Sequence, residues 1–181
     1  RAARREMEAS RRGGALLDQF RDWRARLSNR EFTVSRERLY LRAPGLLAAD
    51  PEAALRLMGF AARHGVPLAP ETERRVEAAA PHLAAHFGAG RPLWPHLREI
   101  LPLPHAALAL RAMHETGLLQ ALVPEWAAIE GLVIRDFYHR YSVDEHSLIA
   151  IENLAGLRLC RDPERRRFAE VLGEIDDPAV L

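Results

Sequence analysis

Lysine is absent from this 181-residue chain: all 26 basic side chains are arginine. Together with the abundance of alanine, that reads as a compositional bias and not as chemistry. Cysteine is almost absent too. The single Cys160 excludes an internal disulfide and fits a reducing compartment. No apolar run approaches the ~20 residues needed to span a bilayer, and the first residues, Arg1 to Glu8, lack the apolar core of a secretory signal. A cytoplasmic location is the expectation that follows. Aromatics are only 7% of the chain, so any place where they gather stands out. What is present is ordinary for a globular domain, with 48% hydrophobic and 28% charged residues.

The net charge of +1 hides an uneven distribution. Residues 1–42 hold twelve arginines against six acids, and residues 43–181 hold fourteen against nineteen. An arginine-rich arm can touch phosphate, which makes a helical binding module for nucleic acid or an acidic protein partner one reading of the chain. Glu6, Glu8, Asp18 and Asp22 interleave with the arginines, however, which better fits a solvated helix face packed on a neighbouring domain.

The hydrophobic pattern predicts a mainly α fold, a bundle of short proline-punctuated helices with one small β-hairpin near residues 31–42. From Ala2 to about Leu27, apolar residues recur near the helical period, with a break expected at Gly13-Gly14. Phe32 and Val34, then Leu39 and Leu41, alternate with polar residues and predict two short strands. A lone hairpin is marginal in water, so it must pack on helices or on something outside the chain. Helices are then expected from Asp50-Pro51 to Gly65, from Pro70 with a division at Pro81, and over Arg91 to Leu101. Others are expected from Leu103-Pro104 to Gly117, from Pro124 through Val133, from an Asp144 N-cap to about Leu159, and from an Asp162 N-cap to Leu172.

One stretch does not read as helical core. Asp136 to His146, D-F-Y-H-R-Y-S-V-D-E-H, brings Phe137, Tyr138 and Tyr141 together with two histidines and three carboxylates. His146 falls in the first turn of a helix, and a neutral imidazole held rigidly is a good ligand for a first-row metal. One ligand does not make a site, and none of the eight histidines is followed by aspartate.

The run G-L-L-Q-A-L-V-P-E-W from Gly117 to Trp126, followed by D-F-Y-H-R-Y-S-V-D-E-H-S-L from Asp136 to Leu148, resembles the PII uridylyltransferase/uridylyl-removing enzymes. The likeness is strongest from about Gly117 to Leu154 and collinear back to about Gly45. The resemblance implies a nucleotidyltransferase domain upstream and an HD-type phosphohydrolase domain opening at V-D-E-H-S-L, with two ACT domains after it. It implies that His146 is the first metal ligand and that the His-Asp pair lies beyond Leu181. On that basis residues 1–43 are the tail of the transferase-associated region, 44–142 a helical linker domain and 143–181 the first helices of the HD domain. Asp177-Pro178 followed by Ala179, Val180 and Leu181 reads as the start of a buried helix that leads to that pair. The resemblance further implies uridylylation and de-uridylylation of PII signal protein with UTP and UMP, magnesium or manganese in the parent enzyme, and no metal tightly held by this segment alone.

Other constellations have plainer explanations. His139 reads as an interhelical histidine before a substrate-facing one. Asp136 and Asp144 could form an acid/base pair, but capping alone accounts for Asp144. His82 and His86 share a helical face without the glutamate of an H-E-x-x-H site or a third ligand. Cys160 has no C-x-x-C partner and reads as a small apolar residue. Trp23, Trp94 and Trp126 fall on apolar stripes, as core or docking anchors. The Gly-Ser and Asp-x-Asp groups of the transferase site are absent from the chain, so no complete catalytic site and no nucleotide-binding site is expected in it.

Overall fold

The computed structural model describes residues 27–88, 90, 92–134, 140–157 and 162–177. The expected N-terminal helix with its Gly13-Gly14 break, Asp136 to His139, Cys160 and the Pro178–Leu181 end lie outside the described residues. As expected, the fold is mainly helical with one antiparallel hairpin.

Strands β1 (Phe32–Ser35) and β2 (Arg38–Leu41) pair with Phe32 opposite Leu41 and Val34 opposite Leu39. The alternation reads directly as burial: Phe32, Val34, Leu39 and Leu41 face the core. Both turn residues, Arg36 and Glu37, have positive φ (47° and 60°), the backbone that matches the right-handed strand twist of a two-residue hairpin. The hairpin does pack on the helical body. Leu39 forms a parallel bridge to Leu68, and its carbonyl accepts from the Ala69 N–H (3.0 Å) and the Thr72 hydroxyl (2.9 Å).

Eight helices are described: α1 (Leu46–Ala49), α2 (Ala53–His64), α3 (Pro70–Gly88), α4 (Trp94–Ile100), α5 (Ala106–Glu115), α6 (Leu118–Leu122), α7 (Val143–Leu157) and α8 (Pro163–Gly173). A 3-10 turn spans Pro124–Ala128. The centre is α2, whose Ala53, Ala54, Leu57, Met58, Ala61 and Ala62 are wholly buried. Four of those six are alanine, which lets neighbouring helices approach closely; α5 and α4 pack against it. Gly65 ends α2 in the left-handed region (φ 63°), as expected, and a Cβ there would meet the His105 ring at 2.8 Å. None of the described helices is long and apolar enough to cross a membrane.

Several elements depart from the expected pattern, among them the short helix α1, which was not expected. Pro81 does not divide α3, which runs unbroken from Pro70 to Gly88. Thr72, Val76, Leu83 and Phe87 stay on one buried face across it, and burying a Leu or Phe side chain, worth roughly 1.5–3 kcal/mol, offsets the bond that an exposed proline cannot donate. The stretch after Pro124 is one short 3-10 turn and does not reach Val133. Gly131 turns the chain with φ 63°, and Leu132, Val133 and Ile134 are exposed. Between Gly117 and Pro124 an additional helix, α6, buries Leu118, Leu119 and Leu122. The α8 start is as expected: the Asp162 carboxylate accepts the Glu164 N–H at 3.0 Å.

Arg56 on α2 ties these parts together at the surface. Its guanidinium donates to Glu31, just before β1, and to Asp50 at the end of α1 (2.6 Å). That guanidinium, opposed by burial and aided by the Glu52 and Ala53 N–H groups, holds the Asp50 carboxyl below the usual carboxylate range.

Gly65→Ala is expected to destabilise the chain by more than about 1 kcal/mol in urea unfolding, since it adds left-handed strain to a clash with His105; unchanged stability would contradict the close approach. Arg56→Met is expected to cost about 0.2–1 kcal/mol at neutral pH, as for an exposed ion pair. A carboxyl with a depressed folded pKa contributes stability above its ordinary pKa and loses it as pH falls through the folded value. The difference between Arg56→Met and the parent chain should therefore shrink on acidification below the ordinary carboxylate pKa.

Candidate functional site

Helix α7 carries the expected ligand, and its first turn is built from V-D-E-H. The Ser142 carbonyl accepts the His146 N–H (2.8 Å), so Ser142 stands at the cap position and Val143 opens the helix. Asp144 is thus the second helical residue and not the N-cap expected from the sequence. Its carboxylate turns inward and is 5% exposed. With Glu145 it puts two negative charges in the first turn, where the helix dipole favours them.

Asp144 meets α5. Its Oδ2 lies 3.4 Å from His114 Nε2, and the Trp126 indole N–H donates to His114 Nδ1 at 3.1 Å, with the two rings edge to face. Because Nδ1 accepts, the imidazole proton sits on Nε2, the nitrogen nearer the carboxylate. Asp144 Oδ1 is fully enclosed and has no hydrogen-bond partner. Burial alone would push this carboxyl up. The Ser142 hydroxyl and the N–H groups of Gly131, Glu145 and Asp144 itself outweigh burial and hold it below its ordinary value, so it is ionised at neutral pH.

A second polar contact flanks the first. Arg111, one turn before His114 on α5, donates from Nη1 to both oxygens of Glu145 (3.1 and 3.0 Å), and Glu152 lies 4.0 Å from its Nη2. Glu145 foremost, against some desolvation, raises the Arg111 pKa further. Leu148, buried, joins the main apolar cluster beside these contacts. The segment leading into α7 is fixed as well: the Val143 N–H donates to the Leu132 carbonyl at 2.9 Å.

His146 is exposed. Residues two apart on a helix point to roughly opposite sides, so the same rigid turn that buries Asp144 directs His146 outward. Among the described residues no group of three or more His, Cys, Asp or Glu side chains could hold a metal ion. The expected ligand His146 thus stands without a complete site among the described residues, and no metal-dependent step is derived from it. His82 and His86 lie on α3, and Trp94 is 44% exposed rather than core. A cleft of about 300 Å³ between the hairpin, α2 and α4, lined by Phe32, Phe60 and Arg63 among others, contains none of the expected site residues.

The roles of His114, Arg111 and Glu145 were not apparent from sequence. The only hint is Trp126, since a partly buried indole N–H needs an acceptor; nothing in the pattern says which residue provides it.

Several curated sequences that the chain matches share one name. It is 31% identical over 135 residues (73% of the chain) to a protein of Photobacterium profundum and 28% identical over 116 residues (64%) to one of Bradyrhizobium diazoefficiens. It is 27% identical over 157 residues (83%) to one of Rhodopseudomonas palustris. No protein-family model matches the chain, and no solved structure does. The relatives are bacterial nucleotidyl-transferring enzymes, and this chain is similar to a segment of them. By name each is a bifunctional uridylyltransferase/uridylyl-removing enzyme, and the chain fits a fragment of that enzyme, spanning 15%, 12% and 16% of the respective lengths.

Trp126→Phe is expected to lower stability by about 1 kcal/mol, the net worth of one hydrogen bond, with the ring packing largely kept. In 15N spectra of the histidine rings, His114 should show the proton on Nε2. A ring carrying it on Nδ1 would contradict the Trp126 contact.

Proposed function

We propose that this chain is an internal segment of an enzyme that transfers UMP from UTP to a tyrosine of PII signal protein under nitrogen limitation and removes it hydrolytically when glutamine is plentiful. The similarity to the uridylyltransferase/uridylyl-removing enzymes carries the reading. An alignment covering 83% of a 181-residue chain runs through His146 and the start of the helix that carries it. On this reading the segment is a helical scaffold between a nucleotidyltransferase domain and an HD-type hydrolase domain, with ACT domains further along. Its task is mechanical: it sets the spacing of the two active sites and presents His146 as the first of several metal ligands. Magnesium or manganese would serve transfer, and a metal held by His146 with ligands from elsewhere in the enzyme would serve removal. The outward direction of the His146 ring supports that role, because the remaining ligands must reach it from outside the described bundle.

The segment alone should neither transfer nor remove UMP, as it lacks the Gly-Ser and Asp-x-Asp groups and a His-Asp pair. Incubation with UTP, PII and manganese tests this by the mass of PII, and a gain of one UMP per PII would refute the scaffold reading. In the complete enzyme, His146→Ala is expected to abolish removal and leave transfer within about twofold, since it deletes a ligand of one site only. Loss of transfer with removal intact would reverse the assignment.

A further inference from the structure

We propose that His114 is a positioning residue for the His146 site: by accepting the Trp126 indole proton and facing Asp144, it fixes the first turn of α7 and with it the direction of the His146 ring. The inference rests on the reading of His146 as a metal ligand and assigns a residue that the sequence motif does not include.

The first turn of a helix is its weakest part, because its N–H groups have no partner within the helix. In α7 this turn also carries the candidate ligand, and a ligand serves a metal only if its direction is held to within a few tenths of an ångström. Side-chain contacts to α5 hold it. Asp144 is buried, and its Oδ2 faces His114 Nε2 at 3.4 Å. His114 is itself held from the other side by the Trp126 indole at 3.1 Å. The chain of contacts therefore runs from the 3-10 turn through α5 to the residue two positions before His146. Arg111 and Glu145 brace the same turn at the surface, but both are about one-third exposed, and exposed pairs are worth little. The histidine contact is less exposed, at 18% for the His114 side chain and 6% for that of Asp144, so water competes with it less. Because Asp144 and His146 point to opposite sides of the helix, His114 cannot touch the metal; it acts through the backbone of one turn.

The test is a Mn2+ titration of the complete protein without substrate, following free Mn2+ by its EPR signal. The sites lost in His146→Ala define the His146 site. His114→Phe keeps the ring volume and removes both polar contacts, and it should weaken that site by 10-fold or more, within the range seen when groups behind a ligand are removed. His114→Gln, whose amide N–H can stand where Nε2–H stood, should recover most of the affinity, which a purely space-filling role would not require. If His114→Phe fails to fold by circular dichroism, Trp126→Phe carries the same test with a smaller expected loss. Wild-type affinity in His114→Phe, or equal losses in His114→Gln and His114→Phe, with the site absent in His146→Ala, would overturn this inference and leave the metal role of His146 standing. Wild-type affinity in His146→Ala would overturn both.

Discussion

The contact between α5 and α7 decides where the candidate ligand points. It consists of one buried carboxylate facing one histidine, an arginine–glutamate pair at the rim and Leu148 set into the apolar cluster. A buried charge is costly unless its surroundings compensate it. Asp144 is compensated by a hydroxyl, backbone N–H groups and a neighbouring imidazole rather than by a full ion pair. Shifting or rotating α7 on α5 would take the His114 imidazole away from the carboxylate, while the Ser142 hydroxyl and the Glu145 and Asp144 N–H groups would move with the helix. The first turn is thus held in one position, and His146 with it.

The rest of the fold serves this contact by holding α5. Helix α2 is buried almost all round, and its alanines let α5 settle close against it. The hairpin covers another side, coupled to the start of α3 through the carbonyl of Leu39. Helix α6 and the 3-10 turn bring Trp126 back against the end of α5, beside His114. The expected boundary between residues 142 and 143 is crossed by apolar and polar contacts alike, since Leu148 belongs to the same cluster as Leu110 and Met113.

Much of the fold was legible in the sequence because its signals were local. Alternation in F-T-V-S and R-L-Y-L marked the strands, Gly65 and Gly117 marked stops with positive φ, and Asp162-Pro163 marked a capped start. The misreadings came where tertiary contacts outweigh a local rule. Pro81 stays inside a helix because residues on both sides of it share one buried face. Apolar residues 132–134 are not helical because Gly131 turns the chain first. Asp144 had the right residue type for a cap, yet the cap falls two residues earlier, at Ser142, and the Asp144 side chain turns inward to α5. At the candidate site, the His146 position followed from a motif, whereas His114 lies thirty-two positions upstream and carries no motif of its own. A contact of that separation is set by packing and leaves no periodic trace.

On the proposed reading, the first turn of α7 presents His146 outward as one ligand for others to complete. The most direct test is a crystal structure of the complete protein grown with Mn2+, using the anomalous signal of the metal. The account predicts a metal peak at coordination distance, about 2.0–2.3 Å, from a ring nitrogen of His146, with the other ligands from residues outside this chain. A metal bound elsewhere in the hydrolase domain, with the His146 ring turned away from it, would contradict the account.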